Sequence, residues 1–185
     1  MSLFGDGLDA AVHKAFTRPA PKSAPAQMRY LVKQLRGTKA AAQMLRISQR
    51  TVERYVKEQI KKPRPDLAAR LEGEVKKRWQ PQIRAKARQK AATTGGIVID
   101  TRARIGYTAP VGSTDEDRVR HLTVALPPQY AARLFDAQEA GASDQHLQQI
   151  AADALKEVYF QDGGRRAGDL GEVRFTDVQH LEFDL

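Results

Sequence analysis

The chain has 185 residues, enough for one or two small domains with modest cores. It holds no cysteine, which excludes disulfides, thiolate metal sites and cysteine nucleophiles and fits a reducing cytoplasm. No apolar run approaches the ~20 residues of a membrane span, and no secretion signal opens the chain, so a cytoplasmic protein without membrane partners is expected. The net charge of +9 is unevenly spread: residues 1–90 hold 22 Lys+Arg against 7 Asp+Glu, and residues 91–185 hold 9 against 15. The first half is therefore expected to meet phosphates and the second to meet protein.

Met1 to Phe16 reads as a short amphipathic helix with Leu8, Val12 and Phe16 on one stripe. RPAPKSAPA, Arg18 to Ala26, reads as an extended Pro- and Ala-rich linker, which puts a boundary near residue 25. A helix over 27–36 then leads into GTKAAAQMLRISQRTVERYVKEQ, Gly37 to Gln59, which has the pattern of a helix-turn-helix. Thr38 is expected to cap the first helix, the turn falls at Arg46-Ile47-Ser48, and Ser48 caps a second helix reaching about Gln59. Ala42, Ile47, Val52 and Tyr55 have the spacing that packs the pair, with a small residue where the helices cross. Arg46 stands where such turns usually carry glycine. The second helix offers Gln49, Arg50, Thr51, Arg54 and Lys57 to base edges and phosphates, joined by Lys39.

Past Gln59, Pro65 opens a helix with Leu67, Leu71, Val75 and Trp79 in register, and Pro81 breaks it. Lys61, Lys62, Arg64, Lys76, Lys77, Arg78, Arg84, Lys86 and Arg88 extend a positive surface to about residue 92. Residues 26–92 are thus expected to form a helical DNA-binding domain.

Thr93-Thr94-Gly95-Gly96 reads as a hinge where the charge changes sign. Ile97 to Thr108 predicts one or two strands, and PVGSTDED, Pro110 to Asp117, an exposed loop. A strand over 119–126, a helix from Pro128 to about Ala140 and a helix capped by Ser143 follow. The last carries Leu147, Ile150, Ala151, Ala154, Leu155, Val158 and Tyr159 on one apolar stripe. Strand, helix and helix at these lengths suggest a ribbon-helix-helix-like unit, an intertwined dimer. Glu172 to Leu185 predicts a terminal hairpin. The fold class expected is α+β: a helical helix-turn-helix domain with a basic extension, then a smaller acidic α+β domain over 93–185 used for dimerisation or partner docking.

No catalytic constellation can be assembled from these residues. His13, His121, His146 and His180 lack metal-ligand spacing, the acidic run Asp115-Glu116-Asp117 reads as solvated, and no glycine-rich phosphate loop is present. A helix-turn-helix transcriptional regulator fits this pattern, and a nicking enzyme using Tyr107 or the acidic loop fits it less well.

From MSLFGDGLDAAVHKAFTRPAPKSAPAQMRYLVKQL through the helix-turn-helix to TTGGIVIDTRARIGYTAP, STDEDR, LPPQYAARLFDAQEAGASD and EVRFTDV, the chain resembles the telomere terminal proteins of Streptomyces linear chromosomes and plasmids. The resemblance implies a protein joined covalently to DNA 5′ ends, whose side-chain hydroxyl replaces an RNA primer when 3′ overhangs are filled. It implies DNA ends, a telomere-associated protein and a DNA polymerase as partners, and residence on the nucleoid. No cofactor of its own is implied, Mg²⁺ being held by the polymerase. Thr114 matches the family's priming threonine, with Gly112, Ser113, Asp115, Glu116 and Asp117 forming its loop. Read from the residues alone, Thr114 could instead cap a turn, and Ser113 or Tyr107 could prime. A homodimer is also among the expected assemblies.

Overall fold

A computed structural model of the chain describes residues 2–107, 117–163 and 170–185. The fold is mixed α+β, with eight α-helices and a three-stranded antiparallel sheet among the described residues. The chain divides into two compact units, one formed by 1–16 with 82–185, the other by 17–81.

The 17–81 unit contains α2 (Ala24–Gln34), α3 (Thr38–Leu45), α4 (Gln49–Val56) and α5 (Pro65–Arg78). Met28 and Leu31, Ala41, Ala42 and Leu45, Val52 and Tyr55, and Leu67, Leu71 and Val75 meet in one buried core. Each large aliphatic side chain so removed from water contributes roughly 1.5–3 kcal/mol. Ser23 and Ser48 cap α2 and α4, accepting from the amides of Ala26 and Thr51.

The Pro-rich stretch is not a free linker. Gln27 Nε2 donates to Pro21 O at 3.0 Å, and Trp79 Nε1 donates to Arg18 O at 3.0 Å. Thr17 and Gln80 exchange hydrogen bonds of 3.1 and 3.3 Å, which fasten the two ends of the unit. Trp79 packs against Tyr30, ring centres 4.9 Å apart, and the compact helical unit starts at residue 17, where a boundary near 25 is expected from the sequence.

Three helix ends here share one solution. After α2, α3 and α4, the residues Arg36, Arg46 and Glu58 adopt φ of 56°, 54° and 59°. At each end the next amide reaches back to the last turn: Gly37 N to Val32 O, Ile47 N to Ala42 O, and Gln59 N to Arg54 O. These are Schellman closures with a charged side chain where glycine would be unstrained. The second helix of the expected pair consequently stops at Val56, short of Gln59.

The other unit is built on β1 (Ile97–Tyr107), flanked by β2 (Arg118–Leu126) and β3 (Val173–Asp184) in the order β2-β1-β3. Ile97, Ile99, Thr101, Ala103 and Ile105 alternate inward along β1, the period of a strand covered on one face. Against them pack α1 (Leu3–Lys14), α7 (Pro128–Glu139) and α8 (Asp144–Leu155). The first segment belongs here because Phe4, Leu8, Ala11 and Val12 are buried in this core.

Several expectations change. The terminal hairpin is a single strand, β3, which follows β1 with register shifts at Arg102/Ala103 and Arg104/Ile105. The glycine hinge is a packed joint: α6 (Pro81–Lys90) runs into a π-helical turn over Ala91–Gly95. Gly96 then begins the approach to β2 at φ 69°, where a Cβ would lie 2.3 Å from Leu126 O. The strand-helix-helix succession exists as β2, α7 and α8, but β2 pairs with β1 of the same chain. In a ribbon-helix-helix that strand would pair instead with its counterpart in a second copy. Tyr159 also leaves the apolar stripe: a second π turn, Lys156–Phe160, adds a residue to the turn and rotates it outward to 42% exposure.

Candidate nucleic-acid interface

Helices α3 and α4 bring their N-termini together. Gln49 Nε2, at the first position of α4, donates to Thr38 Oγ1 at 3.1 Å and to Glu53 Oε1 at 3.0 Å. The amides of both first turns, with the positive ends of two helix dipoles, therefore share one surface. Lys39 and Arg50 are exposed beside them. Arg50 and Arg54 on α4 and Lys57 at its C-cap follow at i, i+4 and i+7, opposite the buried Val52 and Tyr55. None of the three forms an ion pair among the described residues. Thr51 takes part in the helix start: its amide donates to Ser48 Oγ, and its hydroxyl lies 2.8 Å from the same oxygen. Lys61, Lys62 and Arg64 continue the exposed basic stretch after α4.

The positive surface is less continuous than its sequence suggests. On α5, Lys76 pairs with Glu72 at 2.7 Å, Lys77 with Glu74 at 3.6 Å, and Arg78 with Glu74 as well. Arg84 and Arg88 belong to the α+β unit, where both reach Asp9, at 3.0 and 3.8 Å. Arg88 also donates to Gln138 Oε1 and lies 5.3 Å over the Phe135 ring. Burial, helped by the neighbouring Arg84, lowers its pKa from the usual guanidinium value. These two arginines clamp α6 onto α1 and α7, while Lys86 remains exposed.

The expected priming loop divides at its last residue. Gly112, Ser113, Thr114, Asp115 and Glu116 lie outside the described residues. Asp117 does not; it sits at the foot of β2, against Gly106, and accepts the Thr176 hydroxyl at 3.3 Å. Arg104 Nη1 donates to Asp117 O at 3.4 Å. β1 ends at Tyr107 and β2, its antiparallel neighbour, starts at Arg118.

Two groupings escape sequence reasoning because pairing across strands creates them. His121 and His180 each place Nε2 3.3 Å from Asp100 Oδ1 on the uncovered sheet face. Thr123 Oγ1 donates to Asp100 Oδ2 at 2.5 Å. The Thr123 hydroxyl, then His121, holds the Asp100 carboxyl below its usual range. Among the described residues no group of three such ligands is arranged to hold a metal ion. The second grouping joins Arg120 to Phe160, Tyr107 and Tyr159. Two arginines beginning β2 near a terminal strand tyrosine were its one visible signal. In the 17–81 unit, Arg29 pairs with Glu58 at 2.7 Å, and that bond, with Arg29's charge, lowers the Glu58 pKa.

No helix among the described residues is long and apolar enough to cross a membrane. No family model, curated protein or solved structure matches the chain.

Proposed function

We propose that the chain is a terminal protein of linear DNA, a DNA-binding protein primer resembling the Streptomyces telomere proteins. The observation that carries the DNA-binding part is the α3–α4 surface, where two helix N-termini and the unpaired Arg50, Arg54 and Lys57 lie in a unit holding 17 Lys+Arg against 5 Asp+Glu. Such a surface suits DNA phosphates and the edge of a groove.

The priming part is supported by the sequence resemblance. In the reaction, Thr114 Oγ attacks the α-phosphorus of a deoxynucleoside triphosphate. A phosphoester bond forms, the bond to pyrophosphate breaks, and the hydroxyl proton passes to a base of the polymerase. Mg²⁺ held by that polymerase offsets the charge on the phosphates. The chain supplies the nucleophile and its DNA address, with a telomere-associated protein and the polymerase as partners.

The test is an adduct assay with labelled deoxynucleotide, Mg²⁺, telomeric template and a host extract. Label on the Thr114 peptide, lost in Thr114→Ala, is the expected result. No label, alongside a labelled authentic terminal protein, would refute priming and leave a helix-turn-helix regulator as the reading of the α3–α4 surface.

A further inference from the structure

One end of the sheet presents a chain of rings and guanidinium groups. Arg118 and Arg120 open β2 in register with Ile105 and Ala103, whose side chains are buried on the helix-covered face. Paired residues share a face, so both arginines project there too. The Arg120 guanidinium lies 5.4 Å over the Phe160 ring, and its Nε is buried without an acceptor among the described residues. Phe160 lies 5.6 Å from Tyr107 and 5.0 Å from Tyr159, the latter edge-on at 89°. Tyr159 ends the series at 42% exposure. The π turn Lys156–Phe160 creates this arrangement, tucking Phe160 under Arg120 while turning Tyr159 to solvent. Within that turn Glu157 accepts the Tyr130 hydroxyl at 2.5 Å.

We infer that this end of the α+β unit binds single-stranded DNA, one base stacking on Tyr159 and the adjoining phosphates meeting Arg118 and Arg120. An exposed aromatic ring backed by further rings offers a stacking face, which only an unpaired base can use. Arg120, over the Phe160 ring that Tyr159 meets, supplies charge where a purely apolar protein contact would have none. The inference rests on the reading that the chain works at DNA ends with 3′ overhangs, and it gives the otherwise acidic half a nucleic-acid contact at the ends of β1 and β2.

The test uses the full chain and a fluorescein-labelled oligo-dT. Tyr159→Ala is expected to weaken binding about five- to hundredfold and Tyr159→Phe to stay within about twofold. Arg118→Gln with Arg120→Gln should flatten the salt dependence. In the wild type, an oligonucleotide carrying 5-iododeoxyuridine should photocrosslink to the peptide containing Tyr159, a readout independent of any variant's folding. Unchanged affinity in Tyr159→Ala, or crosslinks confined to residues 17–81, would overturn the site. Loss of the Thr114 adduct with crosslinking at Tyr159 intact would refute priming and leave this site standing.

Discussion

Asp144 caps a helix other than its own: its Oδ1 accepts the Phe4 amide at 2.9 Å, 140 residues away in sequence. The same carboxylate takes the Gly5 amide, the Ser2 hydroxyl and, through Oδ2, the Leu3 amide. One negative charge thus satisfies the first turn of α1 and opposes its dipole. Asp144→Ala should lower unfolding free energy by about 2 kcal/mol in urea titration, whereas Asp144→Asn, which keeps an acceptor oxygen, should lose less.

Gly96 should tolerate nothing larger. Its positive φ and the 2.3 Å approach of Leu126 O oppose any Cβ at the start of β1. Gly96→Ala should cost more than about 2 kcal/mol, read as a depressed Tm, because the obstacle is strand backbone.

Arg46 should behave in the opposite sense. It occupies the left-handed region at the end of α3, where glycine carries no steric penalty. Arg46→Gly should stabilise the protein by about 1 kcal/mol in thermal unfolding.

On α4, Arg50→Ala or Arg54→Ala should weaken duplex DNA binding by roughly 1–3 kcal/mol, measured by fluorescence anisotropy at fixed salt. Thr51→Ala should act mainly on stability, since its hydroxyl meets Ser48. Equal affinity in all three variants would remove this face from the interface.

Alkaline titration offers a check inside the α+β core. Burial, then the Glu157 carboxylate, pushes the Tyr130 pKa up to about 12. A raised folded-state pKa means stability fully present below the unfolded value of about 10 and lost as pH climbs through 12. Denaturant midpoints should therefore fall across that window, and Tyr130→Phe should abolish Tyr130's share of the fall.

Local chemistry made much of the helical unit legible. Ser48, the spacing of Ala42, Ile47, Val52 and Tyr55, and Pro65 mark α3, α4 and the start of α5 in the sequence itself. The sheet strands are readable as periodic runs, but Glu172 to Leu185 reads as a hairpin where Val173–Asp184 is one continuous strand, with polar Thr176 and Gln179 at its register shifts. Bulged pairing with β1 accommodates those polar residues, and pairing is not encoded locally. Tyr159 was misplaced because a π turn carries no composition signature. The acids that interrupt the basic surface are hidden for a related reason: Asp9 lies 75 residues from Arg84, and sequence proximity gives no hint of their contact.

The helical unit is an insertion within the sheet unit, lying between residues 16 and 82. During synthesis, α1 therefore emerges long before β3, the strand against which Phe4 packs through Phe183 and Phe175. The 17–81 unit closes through separations of at most about 63 residues, as at Thr17 and Gln80. The sheet unit must wait for partners about 140 residues downstream, as at Ser2 and Asp144. Loop-closure entropy then favours an order of events in which the helical unit folds first and the sheet unit last.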